Sequence, residues 1–434
     1  MRNHKYLTGM LALALCFISG LAAAQDGQGI APGTVINMKN WKSYQQYMPD
    51  GMKILFEGKY FWKFPADFEM VIGQTHHYSF PRSYTQDTEK YSRLVKITDS
   101  PSGEHLLTGY VAGLPFPSPS GNYKGWEMLA NLWFAYEPYV YCNPDTWLYF
   151  LDRFHNMSQE SFVQVYRKFD HVSDPGQPIN NSKFHGIDYT EYLQVTKPEQ
   201  AKYTAQLTVY YSDPTKFEDL FLFVPSLRRV LRLSSAARCS PVVGSDYTQD
   251  EARNTLFNSS ISRFDATFLR DQKVLAITQS PPGVYGNVAN YYPAILFPKP
   301  AVGKWEARDA HVIDVRRVPS QRQGYCFGKK IMYLDAEAYT TLWEDLYDAG
   351  MKLWKVAAEA PIAGQVPGEG EVLMVGNQWN IMIDLQNAHL TMYDTSNAQG
   401  VDFKANQQCR NYQGVDYTNA DRYASVSGLS LIMR

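Results

Sequence analysis

The sequence predicts a β-rich α+β protein: a large antiparallel sheet of a dozen or more strands with one or two helices. Three observations carry this. Aromatic residues make up 14% of the chain, with 31 Tyr, a composition that suits pleated, half-buried surfaces. The 29 Gly and 24 Pro punctuate short segments. The stretch YTAQLTVYY (203–211) alternates strictly, with Tyr203, Ala205, Leu207, Val209 and Tyr211 on one face and Thr204, Gln206, Thr208 and Tyr210 on the other.

The elements follow in order. Residues 1–24 have a basic start (Arg2, Lys5), an apolar run from Leu7 to Leu21 and small residues at Ala22–Ala24. This is the pattern of a secretory signal peptide cleaved near Ala24. Cys16 lies inside the apolar run after Leu15, the wrong neighbour for lipidation. The remainder reads as one exported, periplasmic domain, 25–434, with an irregular lead-in at 25–50. Met52 to Phe64 is aromatic-rich and strand-like, 65–75 is a short strand or turn, and 76–92 has no clear period. Pro115, Pro117 and Pro119 make a loop. Lys124 to Tyr136 then carries Trp126, Leu129, Leu132 and Trp133 on one helical stripe.

From residue 146 strands follow closely: TWLYFLDR, SFVQVYRKFDHV, YLQVTK, YTAQLTVYY, DLFLFVP and RRVLRLS. SDPTKFED reads as a hairpin loop joining two antiparallel neighbours. TLFNSSISRFDATFLRDQK (255–273) is ambiguous, with a helical pattern at its end, and 280–303 is rich in Pro and Gly. WEARDAHVIDVRRVP, KKIMYLD, YTTLWEDLYD and GMKLWKVAAEAP read as a meander, and EVLMVGNQWNIMIDLQNAHLTMYDT adds two strands. Such a sheet must hide an apolar face by closing, by forming a sandwich or by curling round a helix.

Charge narrows the function. A formal net charge of -2 with interleaved signs argues against nucleic acid, whose binders carry a basic patch. Without Cys16 four cysteines remain, Cys142, Cys239, Cys326 and Cys409. An even number in an oxidising compartment predicts two disulfides, with three pairings open. No elbow for a nucleophilic serine, zinc-binding helix, phosphate loop or dinucleotide fingerprint is found, so the chain reads as non-catalytic and without metal or cofactor. His76-His77 reads as a surface pair. GSDYTQDE (244–251) lacks the spacing of a calcium loop and reads as a capped turn, with Asp246 or Thr248 starting a short helix.

Two basic strands supply candidate ligand contacts. In LRRVLRLSS, Leu227, Arg229, Leu231 and Leu233 share one face, while Arg228, Val230 and Arg232 share the other. Guanidinium forks there suit a carboxylate or phosphate head group. In WEARDAHVIDVRRV, Arg308 pairs at the surface with Glu306 or Asp314. Trp126, Trp305 and Arg308 join Arg228, Arg229 and Arg232 as candidate binding residues.

The run FEDLFLFVPSLRRVLRLSSAARCSPVVGSDYTQDEARN resembles the signature region of the DUF1329 family. Pro225, Leu227, Arg228, Arg229, Val230 and Arg232 match its arginine stretch. Gly244, Ser245, Asp246, Thr248 and Asp250 match its acidic loop. Leu231 stands where the family has a basic residue, and Glu251 where it has Asp. The GLPFP loop (113–117), WEARDAHVIDV, KKIMYLDAEAY and YDAGMKLWKV extend the resemblance over about residues 40–430. It implies a fold similar to the LolA/LolB lipoprotein carriers: an open, incomplete barrel of curled antiparallel sheet with a few helices covering the open face. The implied role is a carrier of a lipid or other hydrophobic molecule, serving a resistance-nodulation-division exporter in a Gram-negative envelope. The alternative is an accessory partner of an envelope complex without cargo, its arginines paired with the Asp246 loop.

Overall fold

The computed structural model describes residues 29–234, 238–242, 244–253, 256–281, 283–366, 369–395 and 404–433. The expected signal peptide, with its expected cleavage near Ala24, and Cys16 lie outside these residues.

The N-terminal part carries two small ribbons. β1 (Val35–Asn37) pairs with β2 (Glu69–Val71), and β3 (Lys96–Asp99) with β4 (His105–Thr108). Between β1 and β2 the strand expected over Met52–Phe64 is instead helix α1 (Asp50–Glu57), followed by irregular chain. Pro49 precedes the helix, Asp50 sits in its first turn, and Gly58 ends it in the left-handed region. Met52, Leu55 and Phe56 are buried at helical spacing, so aromatic content masked the period. A second helix, α2 (Arg82–Tyr91), lies in the region without visible period because it buries only Tyr84. The expected helix on the Trp126 stripe is present as α3 (Lys124–Trp133). It crosses the sheet so closely that a Cβ on Gly125 would lie 2.4 Å from the Ala266 carbonyl oxygen.

The large sheet begins with β5 (Val140–Leu151), β6 (Met157–Lys168), β7 (Ile187–Lys197), β8 (Ala205–Tyr211), β9 (Asp219–Val224) and β10 (Arg229–Leu233). It continues with β11 (Phe264–Ala276), β12 (Glu306–Arg317), β13 (Phe327–Asp335), β14 (Thr341–Asp348), β15 (Leu353–Val366), β16 (Gly370–Asp384), β17 (His389–Asp394) and β18 (Lys404–Ala405). The spatial order is β10-β9-β8-β7-β6-β5-β17-β16-β15-β14-β13-β12-β11, with β18 on β5. Thus two antiparallel meanders meet where β5 pairs with β17, Leu151 opposite Leu390. Among the described residues β10 and β11 are the free edges, so this curled sheet of 14 strands stays open. The helical tendency read at the end of 255–273 is overridden by pairing: β11 matches β12 from Phe264↔Arg317 to Ala276↔Glu306, with a bulge between Phe268 and Arg270.

Both faces are covered over much of the sheet. On one, α3 places Trp126 and Leu129 against Ile313, Val315, Met332 and Leu334. On the other, Trp41, Phe56, Phe68 and Phe297 pack on Trp343, Trp379 and Ile381. α4 (Ala420–Tyr423) and α5 (Val426–Leu429) close the chain. Leu429 and Tyr417 cover Leu207, Val209 and Phe223, where the Cys142–Cys409 disulfide ties this region to β5. The second disulfide is Cys239–Cys326.

Candidate functional site

The described residues between 238 and 263 cross the α3 face of the sheet as a strap. Its acidic motif fastens it at successive points. Asp246 accepts from the Thr391 hydroxyl at 2.7 Å and pairs with His389 Nδ1 at 2.7 Å. The Asp246 contact raises the His389 pKa. Asp250 accepts from Arg238, from Arg317 Nη2 at 3.0 Å and from the Tyr325 hydroxyl at 2.6 Å. Burial alone would raise the Asp250 pKa, but Arg238 and Arg317 outweigh it and hold the carboxyl at about 2. Glu251 accepts from Lys330 Nζ at 2.6 Å. Arg253 donates to Glu137 at 2.8 Å, its guanidinium 4.4 Å from the ring of Trp133 and 4.8 Å from that of Tyr189. The expected short helix from Asp246 or Thr248 is only a turn, because each acid is drawn to a different strand. The cations that hold the loop are Arg238 and Arg317, not the arginines of 228–232.

Beneath the strap lies a cleft of about 80 Å3, walled by Leu148, Phe162, Leu193 and Tyr393 of the sheet and by Val242 and Tyr247 of the strap. Strand register carries this wall outward. Gln164 faces Leu193, then come Gln206, Leu222 and Leu231 across β8, β9 and β10. The neighbouring row runs Tyr166, Glu191, Thr208, Leu220 and Leu233. Cross-strand partners share a face, so Leu193 and, beyond Gln206, Leu222, Leu231 and Leu233 form a leucine-rich strip from the cleft to the sheet edge. The first three are half-buried and Leu233 is 38% exposed. Burial pushes Glu191, inside the second row, up to about 8.

The candidate binding residues are not brought together. Arg228 stands before the edge strand with φ +49°, and Arg229, on the leucine face, is exposed. Arg232 points the other way and pairs with Asp219. Trp126 is buried in α3, its indole N–H donating to the Ile261 carbonyl at 3.2 Å. Trp305 is buried on the opposite face among Ile72, Val302 and their neighbours. The expected surface pairing of Arg308 is corrected: the side chain is 2% exposed and held by Asp335 at 2.8 Å and Glu337 at 2.9 Å. It also donates to the His76 carbonyl. His76 and His77 pair separately with Glu306 and Glu337. Among the described residues no group of His, Cys, Asp and Glu could hold a metal ion.

Sequence reading missed Glu137, Arg238, Arg253, Arg317, Lys330 and Glu344, the buried charges round the strap. Their signal was ionisable residues inside apolar strands, as Lys330 in KKIMYL and Glu344 in LWEDL.

A solved domain from Vibrio parahaemolyticus, described as a putative outer membrane lipoprotein-sorting protein domain, is 17% identical. The match covers 67% of this chain and 97% of that one, with a TM-score of 0.45. A DUF1329 family protein from Desulfovibrio piger is 10% identical over 67% of this chain and 97% of that one, also at 0.45. A LolA superfamily protein from Nitrosomonas europaea is 12% identical over 63% and 89%, at 0.36. No curated protein matches the sequence. The family model described as "Protein of unknown function (DUF1329)" matches residues 35–423. With nearly the whole length matched, the chain belongs to the DUF1329 family.

Proposed function

We propose that the protein is a periplasmic binding or carrier protein for a lipid or other hydrophobic molecule, held on the strap face along Leu193, Leu222, Leu231 and Leu233. The carrying observation is that this strip runs from the cleft beneath the strap, whose sheet wall is Leu148, Phe162 and Leu193, to an edge of the sheet. Arg228 and Arg229, exposed at its end, are the residues that would meet an anionic head group. The two disulfides fit an oxidising compartment, and among the described residues no helix is long and apolar enough to cross a membrane. Delivery to a resistance-nodulation-division exporter is the partner role that completes the reading. The buried ionic groups serve to hold the strap, and the reading is non-catalytic.

The cleft of about 80 Å3 is well below the ~300–1,000 Å3 of ordinary small-molecule sites. Cargo therefore lies along the open strip or displaces the strap. Burying about eight methylenes contributes about 6 kcal/mol, enough to offset one strap contact. The same small cleft favours a second reading, an accessory partner whose groove is filled by its own strap.

Native mass spectrometry with solvent extraction, on mature protein purified from periplasm without detergent, separates the two. Stoichiometric lipid mass that disappears in Leu231→Asp supports the carrier. No bound mass, together with failure of added hydrophobic probes to bind, rejects it and leaves the accessory partner.

A further inference from the structure

A second cavity, of about 130 Å3, lies at the seam where the β8–β9 turn meets β4 and residues 260–261. Its wall carries the rings of Tyr110, Trp133, Phe134, Tyr210 and Tyr211, and the carboxylate of Asp188. The strand itself delivers that carboxylate. Ile187 pairs with Tyr211 and Tyr189 with Tyr210, which leaves Asp188 as the extra residue of a β-bulge. Bulges re-aim a side chain and are common beside binding sites. Asp188 is 4% exposed, and among the described residues its Oδ1 has no hydrogen-bond partner. A buried, unsatisfied carboxylate oxygen is costly unless something else satisfies it.

The other ionic groups round the cavity are engaged. Glu218 is held by Arg238, and Asp213 accepts from its own turn at Thr215. His105 lies between Asp99 and Asp265 at 2.7 Å each, and His171 Nδ1 is 2.8 Å from the Val111 carbonyl. Lys216 is exposed, its ammonium 5.2 Å from the Tyr211 ring. The fold already sets one cation against the same aromatic layer, since Arg253 stacks on Trp133.

We propose that this cavity binds an organic ammonium ion, with the cation against the aromatic faces and Asp188 as its counter-charge. Aromatic walls attract cations through the ring quadrupole, and a desolvated carboxylate adds charge at short range. The cavity admits a compact amine or the head of a zwitterionic lipid, but no acyl chain. The proposal does not rest on the carrier reading, because the strip and this cavity are lined by different residues.

Isothermal titration calorimetry on the oxidised mature protein tests it with choline and its neutral tert-butyl isostere, in which carbon replaces nitrogen. Choline is expected to bind at least about tenfold more tightly than the isostere, and Asp188→Asn to weaken choline by about tenfold. Competition by dihexanoylphosphatidylcholine assigns the source to a lipid head group; choline binding without it assigns a free amine. No choline binding, equal affinity for the isostere, or full affinity in a folded Asp188→Asn protein overturns the proposal. The isostere comparison uses the unaltered protein and decides the matter even if the variant misfolds.

Discussion

In an Asp250→Asn protein the strap loses its central anion and nothing else of comparable size. Asp250 is fully buried and neutralises Arg317 and, together with Glu218, Arg238; the two arginine side chains are 5% and 7% exposed. The cations are already crowded: burial, then Arg317 and Arg238, push the Arg263 pKa down to about 10. The fall of the Asp250 carboxyl from 3.8 to about 2 corresponds to about 2 kcal/mol. Breaking a buried pair and leaving its partners uncompensated costs about 3–5 kcal/mol. The substitution should therefore ease local opening of the strap by about 2–5 kcal/mol, so its amides exchange about 30-fold to several thousandfold faster. Hydrogen exchange read by mass spectrometry gives the answer segment by segment, with β5 to β8 as the internal reference. Asp309→Asn is the control. It breaks an exposed pair with Lys273 and should change exchange by no more than about 1 kcal/mol. Strap amides that exchange at the parent rate in folded Asp250→Asn protein would refute the anchoring argument. So would strap and sheet accelerating together, since the strap would then not be a separable unit. In acid the same anchor fails in the parent protein. The folded pKa is depressed, so its contribution is complete above about pH 4 and is lost as pH falls towards about 2.

Four other outcomes follow from the same geometry. Burial pushes Glu344 up to about 8 and Asp345 up to about 7, so both are protonated in the fold where an unfolded chain would be ionised. Their contribution is full below about pH 4 and is lost as pH rises through about 7–8, and Glu344→Gln should flatten the fall in Tm from about pH 4 to about pH 8. Replacing both Cys239 and Cys326 by Ser should cost about 2–4 kcal/mol, read as a drop in Tm, with exchange rising first in the strap. Arg232→Ala, at an exposed ion pair, should change stability by less than about 1 kcal/mol. Trp126→Ala, in the core, should cost about 3–5 kcal/mol in the same denaturation assay.

The strands were legible where period two or a closing turn was visible. YTAQLTVYY became β8, and the four segments after Trp305 became β12 to β15 in the expected meander. α3 was legible because Trp126, Leu129 and Leu132 fall on one stripe. α1 was not, because Phe61, Trp62 and Phe64 just beyond Gly58 lent the region the composition of a strand. β11 was not, because its middle, from Thr267 to Gln272, lies at a free edge and is largely solvated; apolar alternation is not needed there. The strap could not be read at all. Asp250 and Arg317 are 67 residues apart, and Asp246 and Thr391 are 145 apart. Only the folded sheet tells which acid meets which base. The leucine strip was half legible: LRRVLRLSS showed one leucine face, but its continuation through Leu222 and Leu193 depends on register across three hairpins.

The two disulfides are nested, with Cys239–Cys326 inside the span of Cys142–Cys409. A chain that enters an oxidising compartment from its N-terminus presents Cys142, then Cys239, then Cys326, and Cys409 last. Oxidation in order of arrival would join Cys142 to Cys239 and Cys326 to Cys409, and neither is a native bond. Cys142 must therefore wait, as a thiol or in a temporary partnership, while 267 positions of sequence pass before its partner appears. Maturation then depends on thiol–disulfide exchange keeping pace with assembly of the β5–β17 seam. The order of the cysteines along the chain sets a timing requirement that the finished molecule no longer displays.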